Sequence, residues 1–497
     1  MDTKQPYYGQ NPQYNSDYPP QAQPSYNPNY PPQSSYNPNY PPQHAPPQTG
    51  WFERNKKNKP QSNSIGAAVL IFVSGGMQMA NSFSDSDDHF RVSWFIGAII
   101  GTVFGAIICN FINKKILYLF SSVLVIIGGI LFVSLPDELS GLISARYIDG
   151  IASGLLFAPL LVLAGEEAVK RMRGMLASSV EAMSFALGIY LYLIFLSSWG
   201  SYTNSTFSLT KMLGVLSIFY GFLALTIAFF LYVESPVFYL VRNEENQAID
   251  SLRRLQRPFV VTYETYQQLE EHKAYVAHNK EMSLGVSIVS GLPALLKLCM
   301  YRVLVALSYS YLTNVAFSIA SLVSYGNELW TYIIIGTLRW MGVLVSVFMI
   351  DSVGRKKPML FGALICGGMA IGIGVLSDDY FINWINKDRI LTIIYLFFVF
   401  QFFVGVFIGP SSAYLSEAFP LAVKPFFIGI AFIVEMLVQI ICVLASNYSD
   451  IPGFFYATAS MFFVFFFVGL LTLPETKRDT LRDAQIKFRK LFPIRSS

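Results

Sequence analysis

Asp351-Ser-Val-Gly-Arg-Lys-Lys357 closes one apolar run, and Asn110-Phe-Ile-Asn-Lys-Lys115 closes another 241 residues earlier. Two further charged signatures recur at nearly that interval. Glu166, followed by Arg173 and Gly174, is answered 251 residues later by Glu417, followed by Lys424. Glu234-Ser-Pro236 is answered 241 residues later by Glu475-Thr-Lys477. Three signatures at one spacing mean that a block of chain occurs twice. Each signature ends an apolar run, so the repeated unit is a set of runs with charge at their ends.

Working outward, about twelve such runs lie between Ser64 and Leu473, six on each side of a polar stretch at 234–300. Each is long enough to span roughly 30 Å of hydrocarbon. Only helices and closed barrels satisfy every backbone polar group there, and barrel strands would alternate in polarity over about ten residues. The runs are continuous, which predicts helices. Composition agrees: 53% of the 497 residues are hydrophobic and 13% are charged. That is about half the charge of a soluble chain, so most of the surface faces something other than water. The 42 Phe and 29 Tyr suit a bilayer with aromatic belts. A net charge of +4 is too small for a nucleic-acid footprint. The four Cys form no CxxC pair, and the four His lie outside the apolar runs. No metal site and no cofactor is expected. With no Walker loop or nucleophile elbow, no enzyme is expected either.

Lys and Arg in the short loops set the orientation. Lys114, Lys170, Arg173, Arg355, Lys424 and the basic C-terminal stretch fall on one side by helix count, together with Arg54–Lys59. That side is read as cytosolic, which puts both termini and the middle stretch there. Two sequons, at Asn204 and Asn447, fall on the opposite side as candidate glycosylation sites. Residues 1–62 are rich in Pro, Tyr, Asn and Gln; Ser25–Gln33 reads SYNPNYPPQ and recurs at Ser35–Gln43. Such a segment buries too little apolar surface to order itself, so it reads as a disordered tail. NPxY occurs in it three times. Adaptor domains can read that turn in a cytosolic tail, and a low-complexity repeat also produces it. The expected domains are the tail at 1–62, a six-helix half at 63–233, a cytosolic linker with amphipathic helices at 234–300, a second half at 301–474, and a basic tail at 475–497.

Parallel six-helix halves are the pattern of major-facilitator transporters. The fold class expected is an all-α membrane protein of about twelve transmembrane helices, with a cytosolic helical segment between the halves. The repeated charges lie at cytosolic helix ends: Glu166, Arg173, Glu234, Asp351, Arg355, Glu417, Lys424 and Glu475. Pairs between the halves would close a cytosolic gate in one state and break in the other. Small residues at Gly97, Gly101 and Gly105 read as a close helix crossing, and Gly368 with Gly372 read the same way.

The motif-bearing residues resemble the sugar porter family, which includes the facilitative glucose transporters. The resemblance rests on Arg146-Tyr-Ile-Asp-Gly-Ile-Ala-Ser-Gly154, Gly165-Glu166 through Gly174, Glu234-Ser-Pro236, Asp351 through Lys356, Gly409-Pro410 through Pro420, and Pro474-Glu-Thr-Lys477. It implies alternating access and a hexose-like solute. The family's sugar-contacting positions then fall near Glu181, Ser308, Tyr309, Asn314, Arg339, Ser412, Glu435 and Gln439. Several of these depart from the family's Gln, Asn and Trp, so the resemblance implies the scaffold more firmly than the solute.

Three of those positions carry charge. Counted from the cytosolic helix ends, Arg339 lies roughly 18 Å deep, Glu181 roughly 12 Å and Glu435 roughly 16 Å, against a midplane near about 15 Å. Charge at that depth needs a partner or water. Arg339 is expected to pair with Glu181 or Glu435, as a polar binding site or as a structural lock. If neither carboxylate neutralises it, the solute should carry a carboxylate or phosphate. Asp149, three residues from Arg146, is expected to pair with it. The leading function is facilitated diffusion of a sugar at the plasma membrane, because Gly75–Asn81 lacks the Asp common in proton-coupled relatives. Proton symport, an anionic-solute carrier and a non-transporting nutrient sensor are the alternatives. Partners expected are the solute, the bilayer and adaptor proteins at the tail, with no nucleic acid.

Overall fold

In hydrocarbon the backbone must satisfy itself, and this chain does so by helix alone: no strand occurs among the described residues. The computed structural model describes residues 50–83, 87–199, 207–326, 328–378, 387–446 and 450–490. The first half comprises α1 (Trp51–Asn81), α2 (Asp88–Ile108), α3 (Lys114–Ser134), α4 (Leu139–Glu167), α5 (Arg173–Val180), α6 (Ala182–Trp199) and α7 (Leu209–Leu231). Three short helices follow: α8 (Pro236–Val241), α9 (Glu245–Arg254) and α10 (Tyr263–Lys280). The second half comprises α11 (Leu284–Ser308), α12 (Tyr311–Tyr325), α13 (Trp330–Met349), α14 (Lys356–Asp378), α15 (Lys387–Ile408), α16 (Pro410–Glu417), α17 (Lys424–Leu444) and α18 (Ile451–Thr472), with α19 (Leu481–Arg489) after it. Among the described residues, 12 stretches are long and apolar enough to cross a membrane. Three of them are broken in the middle, into α5 and α6, α11 and α12, and α15 and α16.

Two limits differ from the sequence reading. α1 begins at Trp51, inside the stretch assigned to the tail. The seventh span begins at Leu284 and not at 301, with Ser283 capping it by accepting from the Val286 N–H at 3.3 Å. Gly285, Gly291 and Lys297 dilute its apolar character, yet Lys297 Nζ is absorbed by the Thr472 and Lys490 carbonyls at 2.9 and 3.1 Å. The NPxY repeats and both sequons lie outside the described residues.

The repeat is visible in the packing. α2 lies on α4 as α13 lies on α15, and α3 lies on α7 as α14 lies on α18. Between the halves, α2 meets α17 and α6 meets α13, two contacts that exchange under the repeat. Glycine permits the close crossings. A Cβ at Gly97 would stand 2.5 Å from the Tyr147 carbonyl oxygen, and one at Gly154 would stand 2.8 Å from the Thr102 nitrogen. In the second half, a Cβ at Gly405 would stand 2.7 Å from the Val343 nitrogen. Gly368 departs from the expectation: it faces outward, with nothing within 4 Å of an added Cβ. Gly372 meets only the Leu396 side chain, at 3.0 Å.

Gly154→Ala should therefore push α2 off α4 and cost about 1–3 kcal/mol, read as a lower melting temperature in detergent. Gly368→Ala should leave melting unchanged. Equal melting of the two variants would contradict the close-crossing account.

Candidate functional site

All three helix breaks face one place. α5 ends at Val180 and α6 starts at Ala182, so Glu181 sits at a join where its side chain can turn inward. Pro410 lacks an N–H and starts α16 afresh after α15. α11 stops at Ser308, and Ser310 caps α12 by accepting from the Thr313 N–H at 3.4 Å. The carbonyls freed by that last break are collected by side chains. Gln439 Nε2 donates to the Ala306 and Tyr309 oxygens at 3.1 and 3.2 Å, and Gln401 Nε2 donates to the Ser308 oxygen at 3.0 Å.

At the centre stands Arg302, eighteen residues into α11. Both Nη1 and Nη2 lie 3.1 Å from Glu181 Oε1, and Nη2 also pairs with Glu435 Oε2. Nη1 donates to Ser411 Oγ at 3.0 Å, and Ser412 Oγ donates to Glu181 Oε2. Arg302, Glu181 and Glu435 are only 1%, 3% and 4% exposed. Phe157 of α4 and Phe432 of α17 stack beside them with centroids 3.8 Å apart, and the guanidinium lies 5.4 Å from the Phe157 ring centroid. Glu181 and Phe157 belong to the first half; Arg302, Glu435, Ser411, Ser412 and Phe432 belong to the second. The cluster therefore clasps the two halves where water is excluded and an ion pair is strong.

Arg339 pairs with neither Glu181 nor Glu435, contrary to expectation. Its Nη1 donates to Gln401 Oε1 at 2.8 Å, and its guanidinium lies 5.0 Å over the Tyr309 ring. Both carboxylates are taken by Arg302, which the sequence reading left at a helix end because it began the seventh span at 301. One small cavity is lined by Glu181, Arg302, Arg339 and Glu435, so the three charges read at one depth do converge. Of the other expected residues, Ser412 joins the clasp, while Ser308, Tyr309 and Gln439 surround the α11 break. Asn314 turns back on α12 to donate to the Ser310 oxygen at 2.9 Å.

Asp149 also departs from expectation. It accepts from Ser74 Oγ at 2.8 Å and Trp94 Nε1 at 3.0 Å, whereas Arg146 reaches the Phe90 and Gln78 carbonyls, each at 3.0 Å.

At the end of the bundle that carries α8–α10, the repeated charges repeat their bonds. Glu234 accepts the Lys114 N–H at 2.8 Å, as Glu475 accepts the Arg355 N–H at 3.0 Å. Glu166 accepts from Ser235 Oγ at 2.5 Å, as Glu417 accepts from Thr476 Oγ1 at 2.7 Å. The ion pairs here, Lys114–Glu234 at 3.1 Å and Arg355–Glu417 at 3.0 Å, stay within their own halves. Crossing between halves falls to backbone groups. Asp351 Oδ2 accepts the Met175 N–H at 2.8 Å, Arg173 Nη1 donates to the Asp479 oxygen at 3.1 Å, and Ser178 Oγ donates to the Gly409 oxygen at 2.6 Å. Glu234 and Glu475 do not reach across, because helix-start N–H groups of their own half hold them. Among the described residues Lys424 Nζ has no hydrogen-bond partner. Burial raises the Asp351 carboxyl above its usual range, against the pull of Arg355. Burial, with Arg173, Lys424 and Lys170 nearby, pushes the His272 imidazole down to about 3, so it is neutral at physiological pH.

Removing Arg302 alone should leave two buried carboxylates without a counter-ion. Arg302→Met should cost about 3–5 kcal/mol, seen as a large fall in melting temperature. Adding Glu181→Gln and Glu435→Gln to it should restore most of the loss. A normally stable Arg302→Met protein would contradict the clasp.

Comparison with known proteins agrees with this architecture. The chain is 23% identical over 415 residues to the probable metabolite transport protein CsbC of Bacillus subtilis, covering 80% of this chain and 86% of that one. It is 25% identical over 452 residues to the facilitated glucose transporter member 2 of Gallus gallus, covering 86% and 77%. The proton:xylose symporter XylE bound to 6-bromo-6-deoxy-D-glucose superposes with a TM-score of 0.66 at 20% identity, over 86% of this chain and 100% of that one. The inward-open form of XylE from E. coli gives 0.57 at 20% identity, over 86% and 98%. A family model described as sugar (and other) transporter matches residues 53–488, and the chain belongs to that family.

Proposed function

We propose that this protein moves a sugar across the plasma membrane by alternating access, through the cavity at Glu181, Arg302, Arg339 and Glu435. The observation that carries this reading is the clasp. Glu181 and Arg302 hold the two halves together at the cavity wall itself. Parting the halves and exposing the site are therefore one event, which alternating access requires. Sugar is supported by the names of relatives, which include an arabinose–proton symporter and a galactose–proton symporter. The lysines and arginines of the α8–α10 end support a cytosolic assignment for that end and for both termini. The absence of an acidic residue from Gly75–Asn81 supports facilitated diffusion. Adaptor capture by the NPxY repeats completes the reading, and no catalytic role is assigned.

The test is reconstitution of the full chain into proteoliposomes with a panel of labelled neutral and acidic sugars. At least one should equilibrate across the bilayer, and the same sugar inside should accelerate its entry. Sugar binding without uptake would overturn transport in favour of a sensor.

A further inference from the structure

Arg339 carries a charge that the protein leaves unanswered. Among the described residues, no carboxylate oxygen stands within 4.0 Å of it. Its one hydrogen bond goes to the neutral Gln401, and its buried Nε has no partner. It is 4% exposed and lines the central cavity. A buried guanidinium has five donors and no acceptor, so its unfilled valence calls for an anion.

The rest of the wall sharpens the point. The cavity is lined by ten apolar residues and four charged ones, with no neutral amide or hydroxyl among them. Gln401 is spent on the broken end of α11 and on Arg339, and Gln439 Nε2 is spent on the same break. The Arg302 unit sets two carboxyl groups on one guanidinium. Arg339 carries one positive charge. The wall thus offers glutamate oxygens as acceptors for sugar hydroxyls and the Arg339 guanidinium as a donor for a carboxylate.

We infer that the solute is a sugar acid, whose carboxylate docks on Arg339 while its hydroxyls donate to Glu181 and Glu435. This rests on the transport reading above and names the solute class of that same cavity. It agrees with the Arg302 pair, since Arg302 and not Arg339 holds the two glutamates.

D-glucuronate and D-glucose make the test, because they differ only in a carboxylate against a hydroxymethyl group at one ring position. In proteoliposomes of the full chain, glucuronate should half-saturate uptake at a concentration about tenfold or more below that of glucose, the scale of one charge-assisted hydrogen bond. It should also raise the melting temperature of the purified protein more than glucose does. Arg339→Gln should abolish the preference, and Arg339→Lys, which keeps the charge, should retain part of it. Melting without sugar shows whether each variant is folded. Equal or better handling of glucose by the unmodified protein overturns the inference while leaving sugar transport intact. A preference for glucuronate that survives in folded Arg339→Gln overturns the role of Arg339. If no sugar of either kind is carried, the transport reading falls and this inference falls with it.

Discussion

Burying an arginine is costly unless its charge is paired, and here one arginine is paired twice. Arg302 draws Glu181 from the first half and Glu435 from its own half onto a single guanidinium. Several other features follow from that arrangement. The helix of span five breaks at Glu181 to deliver the carboxylate. The α11 break needs Gln401 and Gln439 to cover its carbonyls. Ser411 and Ser412, just after the Pro410 break, supply further hydrogen bonds to Arg302 and Glu181. Desolvating three charges is costly, and a well-packed apolar centre would give a more stable protein. Retaining the charges makes sense where the pair must part and reform.

The two halves share a scaffold but not a centre. The helix-end charges repeat down to individual bonds, with Glu234 and Glu475 each holding a backbone N–H at the start of the third span of its half and Glu166 and Glu417 each accepting a hydroxyl. The glycine crossings repeat as well. At the cavity the correspondence fails: Arg302, Glu435 and Arg339 all come from the second half, and the first contributes Glu181. Duplication explains how the rocking frame arose; the asymmetric centre is where a solute can be told apart.

Much of the frame was legible in the sequence because charges punctuate the ends of apolar runs, and their recurrence needs no packing knowledge. The depths of Glu181, Arg339 and Glu435 were legible for the same reason, since helix rise converts spacing to height. Their partners were not. Depth is one coordinate, and which way a side chain points depends on helix rotation, which spacing from a helix end does not give. Arg339 thus lines the cavity with Glu181 and Glu435 but has another partner, with Gln401 of α15 nearer than either glutamate. Arg302 was missed for a different reason. Glycines and Lys297 mask the early turns of α11, so an arginine well inside the helix looked like one at its mouth. The ion pairs expected across the gate lie within halves, because partners of the same half hold the carboxylates: helix-start N–H groups on Glu234 and Glu475, hydroxyls on Glu166 and Glu417.

The central claim is that the Glu181–Arg302 clasp sets the balance between closed and open arrangements of the halves. Spin labels at positions 171 and 357, exposed sites on the first and second halves, would report that balance by pulsed electron double resonance in nanodiscs. The account predicts that Glu181→Ala, which removes the only first-half charge from the clasp, shifts the distance distribution toward a longer, open population. Distributions that superimpose on those of the unmodified protein would contradict it.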